Sequence, residues 1–320
     1  MRGWSYLAKR VSFSLMTIFV ATTLNFFLFR VLPGDAVRNL SRVPHASPDL
    51  KAQLRRQFGL DKSPWEQYLL YLRELAHGNM GISFADQKPV RGAIVEALWN
   101  TIPMVLIGTI VAIVIGVATG VLAAWWRGSW KGSIGTSFAI FFYAVPTQWL
   151  ALVLLIAFAG LLPSHGMSDP YLLDDSTGAK LIDLGRHLVL PATTLALTLY
   201  GEYALITRSA MLETLGEDYV LTARAKGLLP RVIVRRYALR NAMLPVTTLI
   251  ALSLGYLVAG AILIETVFSW PGIGYAAYQA VVERDYPMLQ GTFLVLTFSV
   301  VLFNLIADLL YARLDPRITL

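Results

Sequence analysis

Cysteine is absent from the 320-residue sequence, which excludes a disulfide, a thiolate nucleophile and a cysteine-ligated metal. Charged residues are also scarce, at 15% of the chain against about 25% in soluble globular domains. Hydrophobic residues make up 56%, and the mean hydropathy is +0.59. A surface that faces only water needs more charge than this, so the composition predicts a membrane protein.

Motifs for nucleotide or hydrolytic chemistry are absent as well. The sequence has no G-x-x-x-x-G-K-[ST], so the chain is not expected to bind or hydrolyse ATP by itself. It has no H-E-x-x-H or G-x-S-x-G, and its four histidines are scattered without ligand spacing. We therefore expect no catalytic residue, no metal and no cofactor on this chain. We also expect the net charge of +7 to reflect membrane topology and not a nucleic-acid partner.

The sequence contains long apolar runs. A helix needs about 20 residues to cross about 30 Å of hydrocarbon. Six runs have this character: Val11–Leu32, Thr101–Trp126, Ile134–Leu162, His187–Thr207, Met243–Val267 and Met288–Leu310. Gly116 and Gly120 form a small-xxx-small pair that favours close helix packing, and Pro146 should kink the third run. The predicted fold is an all-α membrane protein with six transmembrane helices.

The segment between the first two runs is polar and is predicted to be a helical insertion outside the membrane. Ser63 as N-cap, Pro64 at the first position and Glu66 turning back to the cap predict a helix that ends before Gly78. Ser47-Pro48 predicts a similar helix. The expected organisation is residues 1–32 for the N-terminus and helix one, 33–100 for the insertion, 101–310 for the core and 311–320 for the tail.

Lysine and arginine predict the orientation, because cytoplasmic loops are enriched in both. With both termini in the cytoplasm, the basic residues on that side are Arg2, Lys9, Arg10, Arg127, Lys131, Arg208, Arg224, Lys226, Arg231, Arg235, Arg236, Arg240, Arg313 and Arg317. The two short outer loops then hold only Lys180, Arg186 and Arg284. The insertion carries further basic residues, but long segments cross the membrane largely regardless of charge.

The inner loop 208–242 is predicted to contain a short surface helix. Glu217 and Asp218 suit the positive end of a helix, Ala223 and Ala225 its middle, and Gly227 its end. The small alanines are expected to let a partner pack closely. The alternative is an ordinary cationic loop that meets anionic lipid.

This loop resembles the coupling loop of binding-protein-dependent ABC importers. Ala223 and Gly227 match its Glu-Ala-Ala…Gly frame, while Leu221 and Thr222 replace the Glu and the first Ala, as in the dipeptide and oligopeptide branch. The likeness extends along the chain through Leu32-Pro33-Gly34-Asp35, Phe58-Gly59-Leu60-Asp61, Gly78-Asn79-Met80-Gly81-Ile82-Ser83-Phe84, Glu265-Thr266-Val267-Phe268-Ser269-Trp270-Pro271-Gly272, Asp285-Tyr286-Pro287 and Asp315-Pro316-Arg317.

The resemblance implies the first permease subunit of such a system, with a type I importer fold, in the cell inner membrane. It implies a second permease, two ATPase subunits that bind ATP and Mg, and an extracytoplasmic binding protein. The coupling residues would be Glu217, Asp218, Tyr219, Ala223, Arg224, Ala225, Lys226, Gly227 and Leu228. Short peptides are the implied substrate, with nickel chelates and oligosaccharides as alternatives.

Polar residues inside the predicted spans are a separate set of candidates, because charges in hydrocarbon are costly and should face a cavity or a partner. Glu202 lies deep in the fourth span beside Tyr203, and both are candidates for lining the translocation path. Glu265, Asn304 and Asp308 are expected to be structural. A secondary transporter driven by ions would need repeats with broken helices, and none is evident. A membrane scaffold without transport remains a further alternative.

Overall fold

The computed structural model describes residues 2–31, 62–172 and 176–314. Every regular element in these ranges is helical, apart from two isolated bridges, Ile82 with Pro89 and Ala159 with Leu162. The all-helical prediction is therefore confirmed for the described part of the chain. The helix predicted at Ser47-Pro48 lies outside the described residues.

Helices cover most of each predicted apolar run; they begin before every run, and only in the fourth and sixth runs do they end beyond it. They are α1 Arg2–Val31, α2 Pro64–Ala76, α3 Val90–Trp125, α4 Trp130–Ala144, α5 Thr147–Ala157, α6 Thr177–Leu215, α7 Asp218–Ala225, α8 Leu239–Val267, α9 Ile273–Glu283 and α10 Tyr286–Leu314. A short turn, Pro230–Val232, and a π-helical turn, Ile233–Ala238, connect α7 to α8.

Four of the described helices are long and apolar enough to cross a membrane: α1, α3, α6 and α10. The bent pair α4 and α5 would make a fifth span if both halves belong to one crossing. Helix α8 covers the predicted fifth run but is not among these spans. The structure thus shows a multi-pass membrane protein with four or five apolar spans among the described residues.

Pro146 separates α4 from α5, and the two helices meet at an angle of 104°. The residue before a proline avoids the α region, and Val145 has the extended ψ of 127°. Pro146 itself has an extended ψ of 135° and precedes the first residue of α5. The predicted kink is confirmed, and it is a complete break of the helix.

The chain divides into two compact units, residues 1–101 with 271–305 and residues 102–270 with 306–319. In the first unit α2 begins as predicted. The Ser63 hydroxyl accepts from the Glu66 N–H at 3.4 Å, and the Glu66 carboxylate accepts from the Ser63 N–H at 3.0 Å. The Ser63 N–H and hydroxyl both donate to the Glu66 carboxylate, and these hydrogen bonds lower the pKa of Glu66. Gly78, at a φ of +75°, follows the helix C-terminus.

Asp285 connects two distant motifs within the first unit. Its buried carboxylate accepts hydrogen bonds from the Ser83 hydroxyl, from the Ala85 N–H at 3.0 Å and from the Met288 N–H at 3.1 Å. Gly78–Phe84 and Asp285–Pro287, which are separate in the sequence, therefore meet at the start of α10. A carboxylate that satisfies several N–H and O–H donors fixes the loop that carries them.

Helix α6 is the centre of the second unit. A Cβ built on Gly116 of α3 would lie 2.7 Å from the Cβ of Tyr203, and one on Gly120 would lie 2.6 Å from the Ala204 carbonyl oxygen. On another side of α6, a Cβ on Gly201 would lie 2.5 Å from the Ala139 carbonyl oxygen. The close packing predicted for Gly116 and Gly120 is confirmed, and we call these glycine contacts the α6 seam.

The same contacts give the relative directions of the helices. Gly108, Gly116 and Gly120 meet successively later parts of α6, near Leu195, Tyr203 and Thr207, so α3 and α6 are parallel. Helix α8 is antiparallel to α6. Its C-terminal Ile264 clusters with Leu188 and Leu195, whereas Ala242, near its start, clusters with Ala210 and Met211.

Candidate functional site

The short helix predicted in the inner loop is present as α7. Glu217 is its N-cap residue and Asp218 lies in its first turn, where the helix dipole favours a carboxylate. Lys226 ends the helix and Gly227 follows in the left-handed conformation, with a φ of +72°. Glycine adopts this conformation without the steric cost that a Cβ brings. The predicted bounds of this helix are confirmed.

One face of α7 packs against the chain itself. Val220, Ala223 and Ile233 form a buried cluster, with Leu215, Leu228 and Tyr237 packed around it. Ala223 is only 3% exposed. The expectation that Ala223 leaves room for a partner is therefore wrong: its small side chain lets α7 approach the π-helical turn, and a partner cannot reach it in this structure.

The opposite face of α7 is open to solvent. Its exposed residues are Asp218, Tyr219, Leu221, Thr222, Arg224, Ala225 and Lys226, and we call them the docking face. Gly227 is exposed and Leu228 half-buried, while Leu229 just beyond them is 71% exposed. A helix with one face buried in its own chain and the other a mixture of apolar and charged groups is suited to a partner protein.

Asn241 attaches the docking face to the start of α8, because its side-chain amide donates to the Tyr219 hydroxyl at 2.7 Å. The sequence pattern predicts no role for Asn241. The two residues are 22 positions apart and belong to different helices. No local pattern in the sequence signals such a contact, since it depends on how the connecting segment folds back.

The connecting segment contains a π-helical turn that was also not predicted. Ile233, Ala238, Ala242 and Val246 are buried at spacings of five, four and four residues. The five-residue step matches the i→i+5 hydrogen bonding of a π turn. The π turn therefore inserts one residue and keeps the buried side chains on one line into α8.

The two path candidates differ in exposure. Tyr203 is completely buried among Ala112, Ala196 and Val246, where α3, α6 and α8 meet. Glu202 is half-buried. Adjacent residues on a helix point about 100° apart, so the side chains of Glu202 and Tyr203 point in different directions. Of the two, only Glu202 has exposed surface in this structure.

Of the three residues expected to be structural, Glu265 lies on α8, and Asn304 and Asp308 lie on α10. Glu265 is completely buried, and its backbone carbonyl accepts from the Trp270 N–H at 2.9 Å, which closes the turn after α8. Asn304 and Asp308 are half-buried on α10. Glu265 and Asp308 each interact with another group in the structure. Among the described residues no group of three or more His, Asp or Glu side chains is placed to hold a metal.

Comparison with known protein families identifies the chain. Residues 116–320 match the family described as binding-protein-dependent transport system inner membrane component. Residues 4–105 match the N-terminal region described for the same kind of membrane component. The chain belongs to this family. It is thus a membrane transport subunit, as the resemblance of its motifs predicted.

Curated relatives in this family align over nearly the whole chain. The dipeptide transport system permease protein DppB of Escherichia coli K12 is 39% identical, with 98% of both chains covered. The di/tripeptide permease DppB of Pseudomonas aeruginosa is 38% identical with the same coverage. The glutathione transport system permease protein GsiC of Escherichia coli O6:H1 is 32% identical, again with 98% of both chains covered.

A solved structure of the MetNI methionine ABC transporter, in an inward-facing conformation, has a similar fold. The match has a TM-score of 0.56 at 19% identity, and it covers 69% of this chain and 96% of that one. At this identity the likeness concerns the fold alone. The all-helical importer permease fold is therefore supported by a family match and by a structural neighbour.

Proposed function

We propose that this chain is a permease subunit that forms, with a second permease, the translocation path of an ATP-driven importer of short peptides. An extracytoplasmic binding protein delivers the peptide, and two ATPase subunits bind ATP and Mg at the cytoplasmic side. The observation that carries the proposal is the membership of a binding-protein-dependent family along nearly the full length of the chain. The peptide class is supported by relatives named for dipeptides, di/tripeptides and glutathione.

The proposed topology has six spans with both termini in the cytoplasm. Helices α3 and α6 are parallel, which supports one membrane crossing between them, and we infer that the bent pair α4 and α5 makes this crossing as a broken span. Helix α8 runs antiparallel along α6 from Leu188 to Met211, which at 1.5 Å per residue is about 35 Å. This length supports α8 as the remaining span.

The orientation follows from the basic residues of the inner loop, and it places the insertion 33–100 outside. Single cysteines at Glu74 and at Leu229, two exposed positions in a chain without cysteine, test it. An impermeant maleimide added to cells with a permeabilised outer envelope should label position 74 only. Labelling of position 229 without prior lysis contradicts the orientation.

We infer that the docking face of α7 receives the ATPase subunits. A conformational change is driven only by a ligand that binds two states differently, so the ATPases must hold α7 differently when closed and open. Helix α7 is supported for this role because its inner face is fixed by Val220 and Ala223 and its outer face is free. A rigid attachment on one side lets force on the other side reach the membrane helices.

Co-purification tests the proposed function as a whole. An affinity tag on this chain, in its native membrane, should isolate a complex with a second permease and two ATPase chains. That complex should hydrolyse ATP faster when the loaded binding protein is added. Isolation of the chain alone from gently solubilised membranes, with no ATPase activity, would contradict the assignment and favour a scaffold or an ion-driven transporter.

Glu202 is the proposed path residue of the pair. Its half-buried carboxylate on α6 would interact with the charged terminus of a passing peptide. Glu202→Gln should change uptake per assembled complex and leave basal ATP hydrolysis unchanged. Uptake per complex equal to that of the unaltered protein would show that Glu202 is structural, as we propose for Glu265, Asn304 and Asp308.

A further inference from the structure

Three arginines lie at the junction of the π-helical turn and α8. Arg235, Arg236 and Arg240 are all exposed. Arg236 and Arg240 are four residues apart and so are neighbours on a helical surface. Arg235 and Arg236 lie in the π-helical turn, and Arg240 lies in the first turn of α8. We call these three residues the arginine patch.

The patch is not neutralised within the described part of the chain. Among the described residues, none of the three arginines forms an ion pair with a carboxylate. The three exposed guanidinium groups lie within six residues of one another in sequence, so an external anion would offset their positive charge. Arginine is the side chain best suited to bind phosphate, because it offers two parallel N–H donors.

The height of the patch in the membrane can be read from tryptophans on another helix. Ala124, near the end of α3, lies in one buried cluster with Ala238 and Ala242. The residues that follow it, Trp125 and Trp126, are each 39% exposed. Exposed tryptophans at the end of a membrane helix mark the headgroup region.

Arg240 lies between Ala238 and Ala242 in sequence, so the patch is at the height of these tryptophans. A helix rises 1.5 Å per residue, which puts Arg236 and Arg240 within about 10 Å of the first apolar turn of α8. The headgroup region of a bilayer is roughly 5–8 Å thick on each side. Lys131, near the same level, lies 5.6 Å from the centre of the Trp126 ring and adds positive charge there.

We propose that the arginine patch is a binding site for the phosphate of anionic phospholipids. The partner is lipid because the patch combines unneutralised guanidinium groups with a position at the headgroup level. The docking face of α7 carries other cations, Arg224 and Lys226, which precede the connecting turn. The site depends on the chain crossing a membrane and is separate from the proposed coupling to ATPases.

The test uses the full chain purified in a mild detergent and offered an equal mixture of phosphatidylglycerol and phosphatidylcholine. Native mass spectrometry then counts the lipids that stay bound. The unaltered chain should retain phosphatidylglycerol preferentially. Each arginine near a surface changes the partitioning of anionic lipid by about fivefold, so Arg236→Gln with Arg240→Gln should lower retention on the order of twentyfold.

Two further variants distinguish a site from general charge. Arg224→Gln with Lys226→Gln removes the same charge from the docking face and should leave retention nearly unchanged. Arg236→Lys with Arg240→Lys keeps the charge but removes the paired guanidinium donors, so it should lower the preference several-fold. Equal retention by the patch variant and the unaltered chain overturns the proposal, as does an equal loss in the docking-face variant. The ATPase subunits are not needed for this measurement, so its outcome does not depend on the coupling role.

Discussion

The α6 seam and helix α7 belong to the same compact unit but use small residues differently. In the α6 seam, Gly116, Gly120 and Gly201 bring backbones so close that a single added carbon would collide with a neighbouring helix. In α7, two alanines only two positions apart have opposite environments, because Ala223 is buried and Ala225 is exposed. A small residue can therefore serve the chain's own packing or keep a surface open for another molecule.

This difference separates small residues that a membrane transporter needs for its own packing from small residues that it needs for function. The α6 seam is explained completely by helix packing, which in lipid depends on close van der Waals contact. Helix packing does not explain the docking face, because its side chains are exposed in the described chain and include the cations Arg224 and Lys226. We propose that a partner covers this surface and that the residues beneath it hold it in place.

The largest effect is expected at the α6 seam. Gly120→Leu would force a side chain against the carbonyl oxygen of Ala204 and the backbone N–H of Arg208, which cannot move without shifting α6. We expect a destabilisation of about 3 kcal/mol or more, and a large loss of folded protein in the membrane. Fluorescence-detected size exclusion of a tagged chain measures that loss.

Gly185→Leu provides the control for this prediction. Gly185 lies on α6 as well, but a Cβ there would meet nothing within 4 Å. Leucine favours helix more than glycine does, so the folded yield should stay the same or rise. Comparable yields for the two leucine variants would show that the α6 seam is looser than the structure indicates.

The next effect concerns the buried side of α7. Ala223→Trp places an indole in the cluster of Val220 and Ile233, where little space exists. Overpacking of this kind costs about 1–3 kcal/mol, and we expect α7 to detach locally while the membrane helices stay folded. Hydrogen exchange should rise over residues 218–238 and remain unchanged in α6. Unchanged protection of α7 would contradict the burial of Ala223.

A smaller effect is expected from the contact between Tyr219 and Asn241. Tyr219→Phe keeps the ring and removes the hydroxyl that accepts the amide of Asn241. An exposed hydrogen bond of this kind contributes about 0.5–1 kcal/mol, so α7 should open a few times more often. Hydrogen exchange of the α7 amides measures it, with Asn241→Ala expected to give the same change. Additive effects of the two substitutions would show that the hydrogen bond does not form.

Much of the local structure could be predicted from the sequence because its causes are local. The cap of α2 at Ser63 and Glu66, the end of α7 at Gly227 and the break at Pro146 each depend on one or two residue types in a known conformational role. The glycine pair of α3 was also recognisable from its spacing. Four or five of the six predicted runs appear as apolar spans among the described residues, and α6 extends well beyond His187–Thr207 because its polar ends continue the helix.

The arrangement of the candidate site could not be predicted, because it depends on contacts between distant residues. Nothing in the order of residues 217–228 distinguishes Ala223 from Ala225, since both are small and helix-favouring. The π-helical turn and the contact of Asn241 with Tyr219 decide which side of α7 faces the chain. Burial of Tyr203 likewise follows from three helices meeting around it.

The most direct test of the account measures ATP hydrolysis and uptake in complexes that carry Ala225→Trp. This substitution adds an indole to the docking face, away from the buried cluster, so the chain should fold and insert normally. Thr177→Trp, an exposed position at the opposite end of α6, serves as the control. We expect Ala225→Trp to reduce binding-protein-stimulated ATP hydrolysis and peptide uptake per complex at least tenfold, or to prevent the ATPases from binding, while the control does neither. Full hydrolysis and full uptake with Ala225→Trp would contradict the assignment of α7 as the coupling helix.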